Sequence, residues 1–178
     1  MLKWLIRRRL DAFDRTFGYD SSYIRELLDA DPAAFRRFAK VMGLTSYRKD
    51  VPADARYAAG IVAAAAEDCG PCTQLGVTMA EREGIRPDIL RAILEGDEPA
   101  MPPDVALAYR FARATIAHDP EADGLREEIL RKWGRRGLIS LAFAITASRL
   151  FPTVKYALGH GRACQRVKVG GELVGVGR

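Results

Sequence analysis

Cysteine and histidine are scarce: the 178-residue chain has three of the first and two of the second. Three cysteines do not make the disulfide framework of a small secreted protein. One Cys-x-x-Cys with a distant third cysteine fits a reducing compartment and a redox or metal role. Long apolar runs are missing as well. No stretch approaches the roughly 20 apolar residues that a membrane span needs. Residues 1–10 place Leu2, Trp4, Leu5 and Ile6 ahead of Arg7, Arg8 and Arg9, the wrong order and length for a signal peptide. A cytoplasmic protein with no membrane span is the expectation. There is no internal repeat at a fixed period, no low-complexity tract and no βαβ alternation. The charge excess is small at +5, and its basic residues (Arg36, Arg37, Lys40, Arg48, Lys49, Arg131, Lys132, Arg135, Arg136) are scattered among acids. Without a basic stripe or a reading module no nucleic-acid partner is expected, and these charges read as solvated helix faces.

What is present is an ordinary globular composition, 48% apolar and 29% charged, with enough length for one domain and its core. Helix signals punctuate the chain. Asp20 or Ser21 caps a helix carrying Tyr23, Ile24, Leu27 and Leu28 on one face. Asp31 followed by Pro32 opens the next, which Gly43 closes; Ala34, Phe35, Phe38, Val41 and Met42 form its inner side. Pro52 starts a third helix, through Tyr57, Ile61 and Val62 into four alanines at 63–66, small enough to let another backbone come close. Helices follow from Pro71 to a stop at Gly84 and over 87–94. After a proline-rich loop at 97–103 come helices over 104–117, 125–133 and 137–150. A last one starts at Pro152 and is interrupted at Gly159-His160-Gly161. Residues 167–174 read as a hairpin turning on Gly170-Gly171. The fold class is all-α with a small C-terminal β-hairpin.

The distinctive stretch is Glu67-Asp68-Cys69-Gly70-Pro71-Cys72. Two thiols at this spacing close into a disulfide or reopen to a dithiol. A sulfur in the first turn of a helix feels the positive end of the dipole, which favours the reactive thiolate. Pro71 at the first helical position, with Gly70 as cap, puts Cys72 in that turn and leaves Cys69 in the connection, the more accessible of the two. Glu67 and Asp68 are placed to accept a thiol proton, yet a negative charge nearby raises a thiol pKa; the two effects oppose each other. Asp68 reads equally as a cap, and Gln74 as a polar contact at the site or a surface residue. His118, at a helix end, reads as a surface group. His160 and Cys164 lie four residues apart and, with Cys69 and Cys72, supply an alternative Cys3His zinc set. A lone Cys164 also reads as a small buried hydrophobe.

Cys-Gly-Pro-Cys is the tetrapeptide of thioredoxins, but their site follows a buried strand, whereas here an alanine-rich helix precedes it. That setting resembles the AhpD-like (alkylhydroperoxidase D / carboxymuconolactone decarboxylase) family, an all-α bundle with a CxxC at the start of a helix. The resemblance runs from about Pro52 to Cys164 and includes Phe143 and the Arg149-Leu150-Phe151-Pro152 corner. It implies a single AhpD-like domain with an N-terminal helical extension at 1–50, a core at 51–166 and a hairpin tail at 167–178. The implied activity is that of a thiol–disulfide oxidoreductase or alkylhydroperoxidase, a peroxiredoxin-type peroxidase cycling Cys69 and Cys72 with Glu67 assisting. No organic cofactor is implied. The partners implied are a peroxide or protein disulfide substrate, a reducing partner protein, and further copies of the chain in a trimer or hexamer. Redox-active members carry a glutamate twelve residues before the first cysteine and a histidine four after the second. Here Tyr57 and Gly76 stand at those places. Glycine moves no proton, and tyrosine, with a pKa near about 10, is a poor base at neutral pH. Tyr57 reads as a hydrogen-bond donor to a thiolate or as a packed aromatic. The contrasting expectation is a non-enzymatic helical oligomer whose CxxC is structural or binds zinc with His160 and Cys164.

Overall fold

Proline and glycine set most of the helix boundaries in the computed structural model, which describes residues 2–162 and 166–177. Eight helices follow in order: α1 (Leu2–Phe17), α2 (Ser22–Ala30), α3 (Pro32–Thr45), α4 (Ala53–Ala66), α5 (Gly70–Arg82), α6 (Pro87–Glu95), α7 (Pro103–Ala117) and α8 (Glu121–Ala157). A short 3-10 turn, Glu98–Ala100, lies in the expected loop, and the strands β1 (Arg166–Val169) and β2 (Glu172–Gly175) close the chain. The fold is all-α with a small C-terminal hairpin. Asp31 caps α3 by accepting from the Ala33 N–H at 2.7 Å, with Pro32 in the first turn. Gly96 ends α6 in the left-handed conformation that glycine adopts without strain.

The centre is α4, against which α5, α7 and α8 all pack. Ala55, Ala58, Ala59 and Ala63 on it have no exposed surface. Side chains this small bring neighbouring backbones close on several sides at once. One core cluster joins α4 to α5, α6, α7 and the hairpin around Ile61, Val77, Leu90 and Val105. A second joins α4 to α7 and α8 around Leu107, Phe111, Ile129 and Leu141. The N-terminal helices add an aromatic layer of Tyr19, Tyr23 and Ile24 with Phe13 and Phe38. Phe38 meets Tyr23 edge-on at 6.2 Å and Phe151 of α8 at 5.5 Å, which ties that layer to the body.

In the hairpin Val167 lies opposite Val174, and both point into the core with Val169. Gly170 and Gly171 both have positive φ (57° and 89°), the two-residue turn that matches strand twist. Gln74 fastens this hairpin to α5: its amide donates to the Lys168 carbonyl at 3.0 Å and accepts from the Lys168 N–H at 2.7 Å. Its place is therefore structural, neither at the sulfurs nor idle on the surface.

Three expectations change. Gly43 does not close α3, which continues to Thr45; an interior glycine weakens a helix by about 1 kcal/mol without stopping it. The expected inner side of α3 is only half-buried, and Met42 is 52% exposed, because this helix lies on the outer layer. The segments expected over 125–133, 137–150 and from Pro152 form one run, bent at Gly134 (φ 65°, ψ −172°) and continuing through Pro152. Taken whole, α8 is long and apolar enough to cross a membrane by length and composition, with a window of mean hydropathy 1.4 that is 39% buried in the fold. It falls short of that length only when cut at Gly134 and Pro152.

Leu141, fully buried between α8, α4 and α7, supports that packing. Leu141→Ala is expected to lower the unfolding free energy by about 2–5 kcal/mol, measured by urea denaturation.

Candidate functional site

The tight packing around α4 ends at the cysteine pair. Ala66 is the last residue of α4, Glu67 is its C-cap, and Asp68 turns the chain with φ 54°. Aspartate tolerates this left-handed conformation better than most residues, and the Tyr156 hydroxyl donates to its carbonyl at 2.9 Å. Cys69 is then the N-cap of α5, which begins at Gly70, one residue before Pro71. The Cys69 carbonyl starts the helix, accepting from Cys72 N–H at 3.1 Å, Thr73 N–H at 2.9 Å and Thr73 Oγ1 at 3.0 Å. The Cys69 side chain makes no cap bond, so its sulfur is left for Cys72. The two are joined as a disulfide with Cα atoms 5.3 Å apart.

Cys69, expected to be the more accessible, is the buried one. It has no exposed surface, whereas Cys72 is 9% exposed. Both pack with Ala64 of α4 in one small buried cluster, and Cys72 alone keeps a little exposed surface.

Cys72 looks into a cavity of about 410 Å³. Its inner walls are rows of residues four apart or nearly so: Arg56, Gly60 and Ala64 on α4; Cys72, Gly76 and Met79 on α5; Ser140, Ala144 and Ser148 on α8. Its outer wall is the N-terminal extension, through Leu10, Phe13, Tyr19, Tyr23 and Met42. The glycines make the room. A Cβ on Gly60 would stand 3.1 Å from Ser148 Oγ, and one on Gly76 3.3 Å from Ile61 Cγ1. A second cavity of about 440 Å³, lined by Asp68, Thr73, Arg113 and Val176 among others, touches Cys69 from the other side.

Tyr19 is the residue nearest in chemistry to the sulfur. Its hydroxyl lies 3.8 Å from Cys72 Sγ. Burial raises its pKa above the ordinary value, so it remains a donor. The Lys155 ammonium sits 4.6 Å from the Tyr19 ring centre and 5.4 Å from that of Tyr23. Lys155 is itself almost wholly buried, and burial lowers its pKa. No sequence signal near the CxxC pointed to Tyr19 or Lys155. They lie 53 and 83 positions from Cys72; Tyr19, in the connection between α1 and α2, meets the sulfur, and Lys155 of α8 meets the Tyr19 ring.

Glu67 is held elsewhere. Its Oε1 accepts from Arg149 Nε at 2.5 Å and its Oε2 from Thr153 Oγ1 at 3.4 Å, and it lines neither cavity. Asp68 caps no helix, since the N-cap of α5 is Cys69. Tyr57 donates to Glu83 Oε1 at 2.6 Å, and Arg48 donates to the same oxygen at 2.6 Å. Burial and that bond to Glu83 hold the Tyr57 pKa up. For Glu83 burial pushes upward, but the bonds from Tyr57 and Arg48 outweigh it and leave its pKa below the ordinary value.

His160 is bound at Nδ1 to Ser22 Oγ (3.0 Å) and at Nε2 to Glu26 (2.6 Å), and Cys164 lies outside the described residues. Among the described residues no group of three or more histidine, cysteine or acidic side chains is arranged to hold a metal ion. His118 ends α7 on the surface.

No protein-family model, curated protein or solved structure matches this chain.

Glu83 ties α5 to α4 at the end of the cavity opposite the sulfurs. With a folded-state pKa below its ordinary 4.5, it stabilises the fold fully above that pH and progressively less as pH falls through the folded value. Glu83→Gln is expected to be less stable than the parent at neutral pH, with the gap closing in acid. Urea midpoints at both pH values measure this, and a gap independent of pH contradicts it.

Proposed function

We propose that this chain is an AhpD-like thiol–disulfide oxidoreductase that reduces hydroperoxides with Cys72 as the attacking sulfur and Cys69 as the resolving one. The observation that carries the reading is a closed Cys69–Cys72 disulfide at the first turn of α5, with Cys72 on the wall of an apolar cavity. The helix end favours a thiolate at Cys72. Tyr19 supports it with a hydroxyl donor. Glu67 adds little opposing charge, because Arg149 offsets it. In this reading Glu67 serves the site by fixing the α4–α5 turn to α8, and Tyr19 takes over the donor role that Tyr57 is too far committed to Glu83 to fill.

In the first step the Cys72 thiolate attacks the terminal oxygen of the hydroperoxide. The O–O bond breaks, an S–O bond forms, and the alkoxide leaves as an alcohol with a proton from Tyr19 or from water. Cys72 has then lost two electrons and is a sulfenic acid. The Cys69 thiol attacks it, the S–S bond forms, and the oxygen departs as water with the Cys69 proton. A dithiol on a reducing partner protein returns two electrons and two protons and becomes a disulfide itself. We place this cycle in the cytoplasm, in a homo-oligomer, with no organic cofactor.

Reduced protein treated with an alkyl hydroperoxide is expected to lose two hydrogens by mass as the disulfide forms. Cys69→Ser is expected to stop at the sulfenic acid, and Cys72→Ser to show no reaction. A sulfenic acid on Cys69 instead, or no peroxide-dependent change, overturns the assignment. Tyr19→Phe is expected to slow the first step about tenfold or more and to raise the pH at which the thiol reacts, the loss of one hydrogen bond to a charged group. A rate–pH profile of alkylation reads this, and an unchanged profile removes Tyr19 from the mechanism.

A further inference from the structure

The redox cycle makes no use of Arg56. This residue lines the cavity and is only 9% exposed. Its nearest acid, Glu83 Oε2, stands 3.7 Å from Nη2, outside hydrogen-bond reach, and that nitrogen has no hydrogen-bond partner among the described residues. The guanidinium lies over the Tyr57 ring at 4.6 Å, which engages its face and leaves Nη2 on its edge without a hydrogen-bond partner. An unsatisfied buried donor costs about 1–3 kcal/mol. An arginine is charged at all relevant pH values, so an anionic acceptor relieves that cost best.

The charge and shape narrow the class. Arg48 and Arg56 share one carboxylate, Glu83, and Arg9 also lines the cavity, so its walls carry a surplus of positive charge. Arg56, Gly60 and Ala64 lie four apart on one face of α4, and Ala64 packs on Cys72. At the rise of an α-helix, Arg56 and Ala64 are about 12 Å apart along the axis. The cavity is thus a largely apolar channel with Arg56 and Arg48 toward one end and a reactive sulfur at the other. Largely apolar walls between these cations and the sulfur suit an anion that carries an apolar chain, as a long-chain carboxylate does.

We propose that this cavity binds a carboxylic acid bearing an apolar chain, its carboxylate on Arg56 and its chain running along Gly60 and Ala64 toward Cys72. This deepens the redox reading by naming the hydroperoxide as one carried on such a chain, and it rests on that reading only for the chemistry, not for the binding.

The test is titration calorimetry with dodecanoate and its neutral counterpart dodecanol. It uses the full chain and a Cys69→Ser/Cys72→Ser double variant that has no redox chemistry. Dodecanoate is expected to bind both proteins about tenfold more tightly than dodecanol, the worth of one charge-assisted contact. Arg56→Met is expected to abolish that preference, and Ala144→Phe, which fills the channel, to weaken both ligands. Equal affinity for the two ligands in the parent protein, absence of binding, or indifference to Ala144→Phe overturns the proposal. The parent comparison stands without any variant having to fold. Anion-selective binding without peroxide-driven disulfide formation would support this inference and fail the redox cycle; disulfide formation without selective binding would do the reverse.

Discussion

The structure depends on how closely helices approach α4. With four alanines fully buried along it and Gly60 opposite Ser148, α4 accepts α5, α7 and α8 at once. Larger side chains at these positions would push the neighbours outward, since packed interiors have no slack to absorb the volume. That close approach buries Cys69 under α4 and at the same time holds Cys72 at the edge of the space left between α4, α5 and α8. The asymmetry between the two sulfurs comes from packing, not from any chemical difference between the residues.

The N-terminal extension completes what the central helices begin. Its aromatic layer packs on α8 through Phe38 and Phe151 and forms the outer wall of the Cys72 cavity. Tyr19 sits in that wall, between the buried Lys155 ammonium and the sulfur. Ionic pairs occupy the two ends of α4. At one end Arg149 holds Glu67; at the other, Arg48, Arg56 and Tyr57 converge on Glu83. Between them the cavity wall is mostly apolar, with Ser140 and Ser148 of α8 among its polar groups.

Helix content and most boundaries were legible because their causes are local. Asp31 with Pro32, the stop near Gly84, Gly96 and the Gly170-Gly171 turn each act within one turn of backbone. The failures share one cause. Gly43, Gly134 and Pro152 carry local breaker signals that the surrounding packing overrides or turns into a bend. Gln74 read as a site or surface residue because its partner, the Lys168 backbone, is 94 positions away.

By itself the sequence determined an all-α chain with a hairpin tail, and two thiols spaced to pair at the mouth of a helix. These follow from periodicity, caps and a separation of three residues, all short-range. The tertiary structure alone decided which cavity each cysteine meets, that Glu67 belongs to Arg149, and that Tyr19 and Arg56 line the same space as Cys72. Those outcomes require walls contributed by α2, α4, α5 and α8 to arrive together, and no local stretch of sequence specifies a volume enclosed by segments so far apart in the chain.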